Sequence, residues 1–123
     1  VLNNYAYYLS ELRRDLKRAE QMSFKTVQAE PTNATYLDTY AWILFLQKRY
    51  DEARAYIDRA LENDNDSTNG PSAVVIGHAG DIYCMCGDTA RAVELWQRAL
   101  KAGGDKAVLT RKIKTKKLKI EEQ

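Results

Sequence analysis

The most reactive side chains in this sequence belong to two cysteines and one histidine. Cys84 and Cys86 are two positions apart on a predicted helix. Because each helical residue turns about 100° around the axis, the two thiols point roughly 200° apart and can neither converge on one metal ion nor form a disulfide with each other. His78 lies six positions before Cys84, about 240° around the same axis, and completes no cluster. We interpret the thiols as packing groups, and the sequence predicts no metal site.

A second candidate for metal chemistry is the stretch 63–71, which is rich in Asp and Asn. A calcium-binding helix-loop-helix needs carboxylates at fixed alternation, a central glycine and a Glu that closes the loop. No Glu stands at the closing position here. The composition instead predicts an ordinary loop.

Recognisable catalytic motifs are absent from the sequence. It has no glycine-rich phosphate loop and no nucleophile elbow, and the one histidine has no Ser or Cys partner at a motif spacing. A pair of carboxylates remains an open alternative, although none of the seventeen acidic residues stands out from the polar faces of amphipathic helices. The sequence therefore predicts a protein that is not an enzyme and that has no cofactor.

The elements that position these residues are helical hairpins, and two copies of one hairpin span residues 34–66 and 73–105. A shift of 39 positions aligns Ala53 with Ala92 and also brings seven further positions into register. Small residues at the matched sites let two helix axes approach closely, and large residues nearby fill the remaining space. The aligned sites are Leu37 with Ile76, Tyr40-Ala41 with Ala79-Gly80, Leu44 with Tyr83, Ile57 with Trp96, and Ala60-Leu61 with Ala99-Leu100.

This series resembles the tetratricopeptide repeat, in which a large residue, Leu-Gly, Tyr, Ala and an aromatic recur over about 34 residues. A truncated copy, 1–33, opens the chain with Leu2, Tyr5-Ala6, Leu9, Ala19 and Pro31, but Ser23 replaces its aromatic. Asn65 and Gly104 replace the closing proline of the other two copies. The resemblance implies an all-α, right-handed superhelical solenoid of antiparallel hairpins. Two sequence runs, 3–7 and 36–42, are similar to bacterial members.

Seven helices are predicted, together with the residues that start and stop them. Thr32 or Asn33, Asp51, Ser72 and Asp88 are expected to open the third to sixth helices. Pro31, Gly87 and Gly103-Gly104 are expected to end helices. The predicted helices lie near 2–12, 15–29, 34–47, 51–63, 72–86, 89–102 and 106–119.

The family resemblance implies that ligands dock on a concave surface lined by the first helix of each hairpin. We expect a protein or peptide partner there, because the aromatic side chains of Trp42 and Phe45 fall on one helical face. Known repeats that grip a C-terminal carboxylate use Lys, Asn and Arg, and this chain has Thr39, Val74 and His78 instead. Burial of this face by other repeats or by the last helix is the alternative. The candidate groove residues are Asn3, Tyr7, Glu11, Asp38, Trp42, Phe45, Leu46, Asp81 and Met85.

Positive charge is concentrated at the C-terminal end. Residues 106–123 hold seven Lys or Arg against two Glu, whereas residues 1–105 hold twelve against fifteen acidic residues. We interpret this segment as a basic capping helix and tail, with Leu109, Ile113 and Ile120 covering the last hairpin while Lys112, Lys114 and Lys119 face water. The alternative is docking to nucleic acid or an anionic surface. Nucleic acid is disfavoured because no aromatic residue lies among the cations for stacking on bases.

Composition places few further limits on the protein. The sequence is 45% apolar and 29% charged, which is typical of a soluble globular chain, and it has no apolar run long enough for a membrane span. It lacks an initiator Met and its first repeat is short, so we expect a piece of a longer protein, either cytoplasmic or associated with a bacterial envelope. Self-association through the ends of the solenoid, and a purely structural role within a longer array, are further expectations.

Overall fold

A computed structural model of the chain describes residues 2–11, 15–64 and 72–118. These residues form seven α-helices and no strand. This confirms the all-α prediction. The helices are α1 (Leu2–Glu11), α2 (Leu16–Ala29), α3 (Ala34–Leu46), α4 (Tyr50–Asn63), α5 (Ala73–Met85), α6 (Thr89–Lys101) and α7 (Lys106–Thr115). None of the described helices is both long enough and apolar enough to cross a membrane.

The chain divides into two compact units, Val1–Asp64 and Asn65–Gln123. In the first unit, α1 packs against α2, α3 packs against α4, and α3 also contacts both α1 and α2. In the second unit, α5 packs against α6, and α7 packs on α6. Each unit is therefore built from antiparallel helix hairpins, and each hairpin relies on a neighbouring helix to complete its core.

The small residues that align the two hairpins lie in the close contacts between helices. Ala41, Ala53 and Ala92 are completely buried. A Cβ atom added at Gly80 would lie 2.4 Å from Cδ1 of Trp96, which is itself completely buried. The hairpins can close only with the smallest side chains at these positions.

Helix starts follow the predicted capping residues in three of four cases. Side-chain oxygens of Asn33, Ser72 and Asp88 accept hydrogen bonds from the backbone N–H three residues further on. The prediction for Asp51 was wrong, because α4 begins at Tyr50 without a side-chain cap and Asp51 lies in its first turn. An acidic residue there still interacts favourably with the positive end of the helix dipole.

Two further caps were not predicted from the sequence, and the end of α7 differs from its prediction. Asp15 caps α2 and Asp105 caps α7. The last helix ends at Thr115 rather than at 119, because Lys116 adopts the left-handed conformation with φ of 58°. Lys119 and Ile120, which were assigned to this helix, lie outside the described residues.

The helices α3 and α5 end in the same backbone motif, but with different residues at the left-handed position. Lys48 has φ of 65° and Gly87, 39 positions later, has φ of 89°. The next backbone N–H in each case bonds to the carbonyl five residues earlier, Arg49 N to Leu44 O and Asp88 N to Tyr83 O, both at 3.0 Å. This geometry is natural for glycine and unfavourable for lysine.

We expect Lys48→Gly to raise the free energy of unfolding by about 0.5–1 kcal/mol. The left-handed conformation costs a non-glycine residue roughly 1–2 kcal/mol, and the greater entropy of unfolded glycine offsets part of the gain. Urea denaturation would measure the change. Gly87→Lys is the matched control and should lower stability. If Lys48→Gly left the free energy of unfolding unchanged, backbone strain at Lys48 would be contradicted.

Ser23 occupies the position where the family pattern expects an aromatic residue. It is completely buried, and its Oγ has no hydrogen-bond partner among the described residues. A buried polar group without a partner costs about 1–3 kcal/mol. We therefore expect Ser23→Ala to raise the free energy of unfolding by about 1 kcal/mol.

Ser10 provides the control for this prediction, because it is equally buried but has a partner. Its Oγ donates a hydrogen bond of 2.6 Å to the carbonyl oxygen of Tyr7. Ser10→Ala should therefore lower stability in the same denaturation experiment. Loss of stability in both variants would mean that the hydroxyl of Ser23 is satisfied after all.

Candidate functional site

The strongest candidate for a binding surface is a cluster of aromatic rings on α3. The rings of Trp42 and Phe45 are stacked, with centroids 4.6 Å apart and planes inclined by 16°. Tyr50, at the start of α4, adds a third ring 5.6 Å from that of Phe45. All three side chains are half-buried. Trp42 and Phe45 thus share one helical face, as the sequence indicated, and Tyr50 extends the apolar surface.

Tyr50 was not identified from the sequence, since it belongs to the other helix of the hairpin. Its approach to Phe45 depends on the tight turn at 47–49, in which Lys48 is left-handed. Helical periodicity describes one helix at a time and does not specify which ring crosses a turn. We refer to Trp42, Phe45 and Tyr50 as the aromatic cluster.

The other groove candidates of the first unit lie on α1 and α3 and differ in exposure. Leu46 and Tyr7 are half-buried, whereas Asp38 and Asn3 are each only 6% exposed. The Oδ1 atom of Asn3 has no hydrogen-bond partner among the described residues. The backbone of Glu11 belongs to α1, but its side chain lies outside the described residues.

In the second unit, Asp81 is engaged within the fold. Its Oδ1 accepts a hydrogen bond of 2.9 Å from Nε1 of Trp96 and another of 2.9 Å from Nζ of Lys112, which also lies 3.1 Å from Oδ2. The side chains of Asp81 and Lys112 are 10% and 15% exposed. Met85, by contrast, is 42% exposed. Of these two groove candidates, only Met85 is open to a ligand.

The prediction that Lys112 faces water was therefore wrong. Lys112 follows Leu109 by three positions and therefore borders the apolar stripe of α7, and its side chain reaches Asp81 on α5. A buried carboxylate needs an opposite charge and hydrogen bonds to offset its lost hydration. Lys114, on the same helix, is exposed as expected.

The cysteines lie in the same region of the second unit. Cys84 and Cys86 are both free thiols and half-buried. Burial raises the pKa of the Cys84 thiol, the Asp81 carboxylate raises it further, and Lys112 opposes the shift. A raised pKa keeps the thiol protonated and poorly nucleophilic at neutral pH, which agrees with a packing role.

A polar network in the first unit, not anticipated from the sequence, links α2 to the turn before α4. Arg49 Nη1 lies 2.7 Å from Glu20 Oε1, and Arg49 Nη2 lies 2.8 Å from Glu52 Oε2. Gln47 Nε2 donates a further hydrogen bond of 3.1 Å to Glu20. The hydrogen bond from Arg49 lowers the pKa of Glu52. This network is structural, because its groups are occupied by one another.

Tyr40 lies at the centre of a second aromatic group. Its ring is 5.5 Å from that of Phe24 on α2 and 4.7 Å from that of Tyr56 on α4. Burial, with the Glu20 carboxylate adding to it, raises the pKa of Tyr40 to about 12. The phenol therefore stays neutral at physiological pH, and the ring serves to join the helices.

Residues 34–67, which include α3, α4 and the aromatic cluster, match the family model of the tetratricopeptide repeat. Residues 34–67 of this chain form a tetratricopeptide repeat. Such repeats suggest a scaffold for protein–protein interaction, and proteins that contain them are typically not catalytic.

A solved structure supports the fold of this chain. The chain is similar to the N-terminal domain of stress-induced protein-1 from C. elegans, with a TM-score of 0.68 and 21% sequence identity, over 94% of this chain and 97% of that chain. The comparison with curated proteins gave no match. The bacterial origin expected from two sequence runs stays a prediction.

Proposed function

We propose that this protein binds a segment of another protein through the aromatic cluster of α3. The observation that supports this proposal is the stacked Trp42–Phe45 pair, half-buried beside Tyr50. Stacked rings on a rigid helix form a preorganised apolar surface that loses little side-chain entropy on binding. Such a surface suits an extended or helical peptide with apolar side chains.

Binding by this surface alone is expected to be weak. Three rings that contribute roughly 1.5–3 kcal/mol each barely offset the free-energy cost of association, which is about 4–15 kcal/mol. We therefore expect a dissociation constant of about 1 μM or weaker. Asp38 and Leu46 stay candidate groove residues in this proposal, while Asp81 is omitted because its carboxylate is already paired.

The test is selection of displayed random peptides on the wild-type protein, followed by calorimetry on variants. We expect Trp42→Ala and Phe45→Ala to weaken the selected peptides at least about tenfold, because each removes one ring of the stacked pair. Val74→Ala is the matched control, since it removes an exposed apolar side chain from α5 instead. Circular dichroism would verify that all three variants fold.

The selection also separates this proposal from the alternative use of the basic face. Lys114, Lys116 and Lys117 are exposed cations at the end of the described chain. Binding that falls steeply with salt and is lost when these lysines are replaced by Gln would assign the ligand to that face. Peptides that bind Trp42→Ala as tightly as wild type, or failure to enrich any peptide, would count against the aromatic cluster.

A further inference from the structure

The exposed face of α1, which carries Tyr5 and Tyr8, can be interpreted by comparison with α3. A shift of 35 positions aligns Leu2, Ala6 and Leu9 with Leu37, Ala41 and Leu44. The same shift places Tyr8 at the position of Ile43 and Tyr5 at the position of Tyr40. The two helices are therefore equivalent first helices of consecutive hairpins. The contacts of a side chain on α3 indicate which contacts the equivalent side chain on α1 can make.

In α3, the side chains at these two positions pack against the preceding hairpin. Ile43 is completely buried in a cluster with Ala6, Leu9 and Ala19 of α1 and α2. The ring of Tyr40 packs on that of Phe24 in α2. This face of a first helix thus receives the second helix of the hairpin before it.

In α1, the equivalent side chains are large, aromatic and exposed. Tyr8 is 58% exposed and Tyr5 is 43% exposed. They are two of the six large hydrophobic side chains that are exposed among the described residues. The surface has the repeat positions of a helix-binding face, with two amphipathic rings at the positions where α3 buries Tyr40 and Ile43.

The helix α2 contributes cations to the same face. A shift of 34 positions aligns α2 with α4 through Ala19 and Ala53, and places Lys25 at the position of Arg59. Arg59 Nη2 donates a hydrogen bond of 3.0 Å to the carbonyl oxygen of Pro31, at the end of the preceding hairpin. Lys25 is exposed at the equivalent site. The guanidinium of Arg18 lies 5.9 Å from the centroid of the Tyr5 ring.

We propose that this face, defined by Tyr5, Tyr8, Arg18 and Lys25, binds an amphipathic helix of a partner protein that carries acidic side chains beside its apolar stripe. The apolar stripe lies on the two tyrosines as α2 lies on α3, and the acidic groups lie against the two cations. The nearby acids have other partners, because the carboxylate of Asp15 caps α2 at the N–H of Arg18 and that of Glu20 pairs with Arg49. The site is separate from the aromatic cluster, and its ligand is a different one.

Charge argues against a second copy of this chain as the occupant. Two such faces brought together would place Arg18 and Lys25 of one copy near the same cations of the other. The cations of the two copies would repel each other, which disfavours association, whereas an acidic helix would neutralise them. The partner is therefore a helix of opposite charge.

The experiment uses two labelled peptides and the whole chain. One peptide has the sequence 15–30 of this protein, and the other has the same sequence with Lys17, Arg18 and Lys25 each replaced by Glu. Fluorescence anisotropy is expected to give binding of the acidic peptide at least about tenfold tighter than that of the unchanged peptide, with an affinity that decreases as salt is raised. Tyr8→Ala should weaken the acidic peptide by at least about tenfold, and Arg18→Glu should reverse the preference between the peptides.

Two controls distinguish this site from the rest of the surface. Val74→Ala removes an apolar side chain that is 59% exposed on α5, and Trp42→Ala removes a ring of the aromatic cluster. Both should leave binding of the acidic peptide unchanged. The proposal for this face and the proposal for the aromatic cluster are therefore tested independently. Absence of binding, equal binding of both peptides, or an equal loss in Val74→Ala would overturn the proposal. So would sedimentation showing a dimer that Tyr8→Ala dissociates, since the face would then belong to a second copy.

Discussion

Replacing Gly80 by valine is expected to lower the free energy of unfolding by about 3 kcal/mol, near the upper end of what overpacking a core costs. A Cβ atom at this position would lie 2.4 Å from Cδ1 and 2.5 Å from Nε1 of Trp96. The indole has little freedom to move, because it is completely buried and Nε1 donates a hydrogen bond to Asp81. The helices α5 and α6 would have to separate. Chemical denaturation, followed by tryptophan fluorescence, measures the loss.

Gly77 provides a matched control on the same helix, because a Cβ atom added there would meet nothing within 4 Å. Gly77→Ala should raise stability by about 0.5–1 kcal/mol through helix propensity alone. The double variant Gly80→Val with Trp96→Leu should be more stable than the sum of the single changes predicts, because the smaller side chain relieves the clash. Additive losses would mean that Gly80 and Trp96 are not in conflict.

Replacing Lys112 by methionine is expected to cost about 3–5 kcal/mol, the usual penalty for removing one member of a buried ion pair. The change keeps the aliphatic stem but leaves the carboxylate of Asp81, 10% exposed, hydrogen-bonded to the indole N–H of Trp96 and without its opposite charge. Calorimetric or urea denaturation would measure the difference. We propose on this basis that α7 acts as a cap held to the α5–α6 hairpin through Lys112.

The control for this variant is Lys114→Met, which removes an exposed lysine from the same helix. It should change stability by no more than about 0.5 kcal/mol. Combining Lys112→Met with Asp81→Asn should recover much of the loss, since no unpaired charge remains buried. An equal, small effect of both lysine replacements would show that the ion pair contributes nothing to the fold.

Several features of this protein could be predicted from the sequence because they follow from periodicity. The matching positions of Ala53 with Ala92 and of Ile57 with Trp96 indicated which side chains pack inside the hairpins, and all four are completely buried. The small residue Gly80 indicated a close approach of two helices. Trp42 and Phe45 fall three positions apart, so a helix of any tertiary context places them on one face. Local geometry and a repeated core were sufficient for these conclusions.

The tertiary structure alone decided which polar groups meet. Lys112 and Asp81 are separated by 31 positions, and Arg49 and Glu20 by 29. The pattern of a helix specifies which side of it is apolar, but it does not specify which charge a long lysine or arginine side chain will reach across a neighbouring helix. Lys48 is a further example, because the tight turn after α3 imposes a left-handed backbone on a residue whose type does not favour it. Packing of the helices determines these contacts, since a buried charge takes the partner that the assembled fold brings within reach.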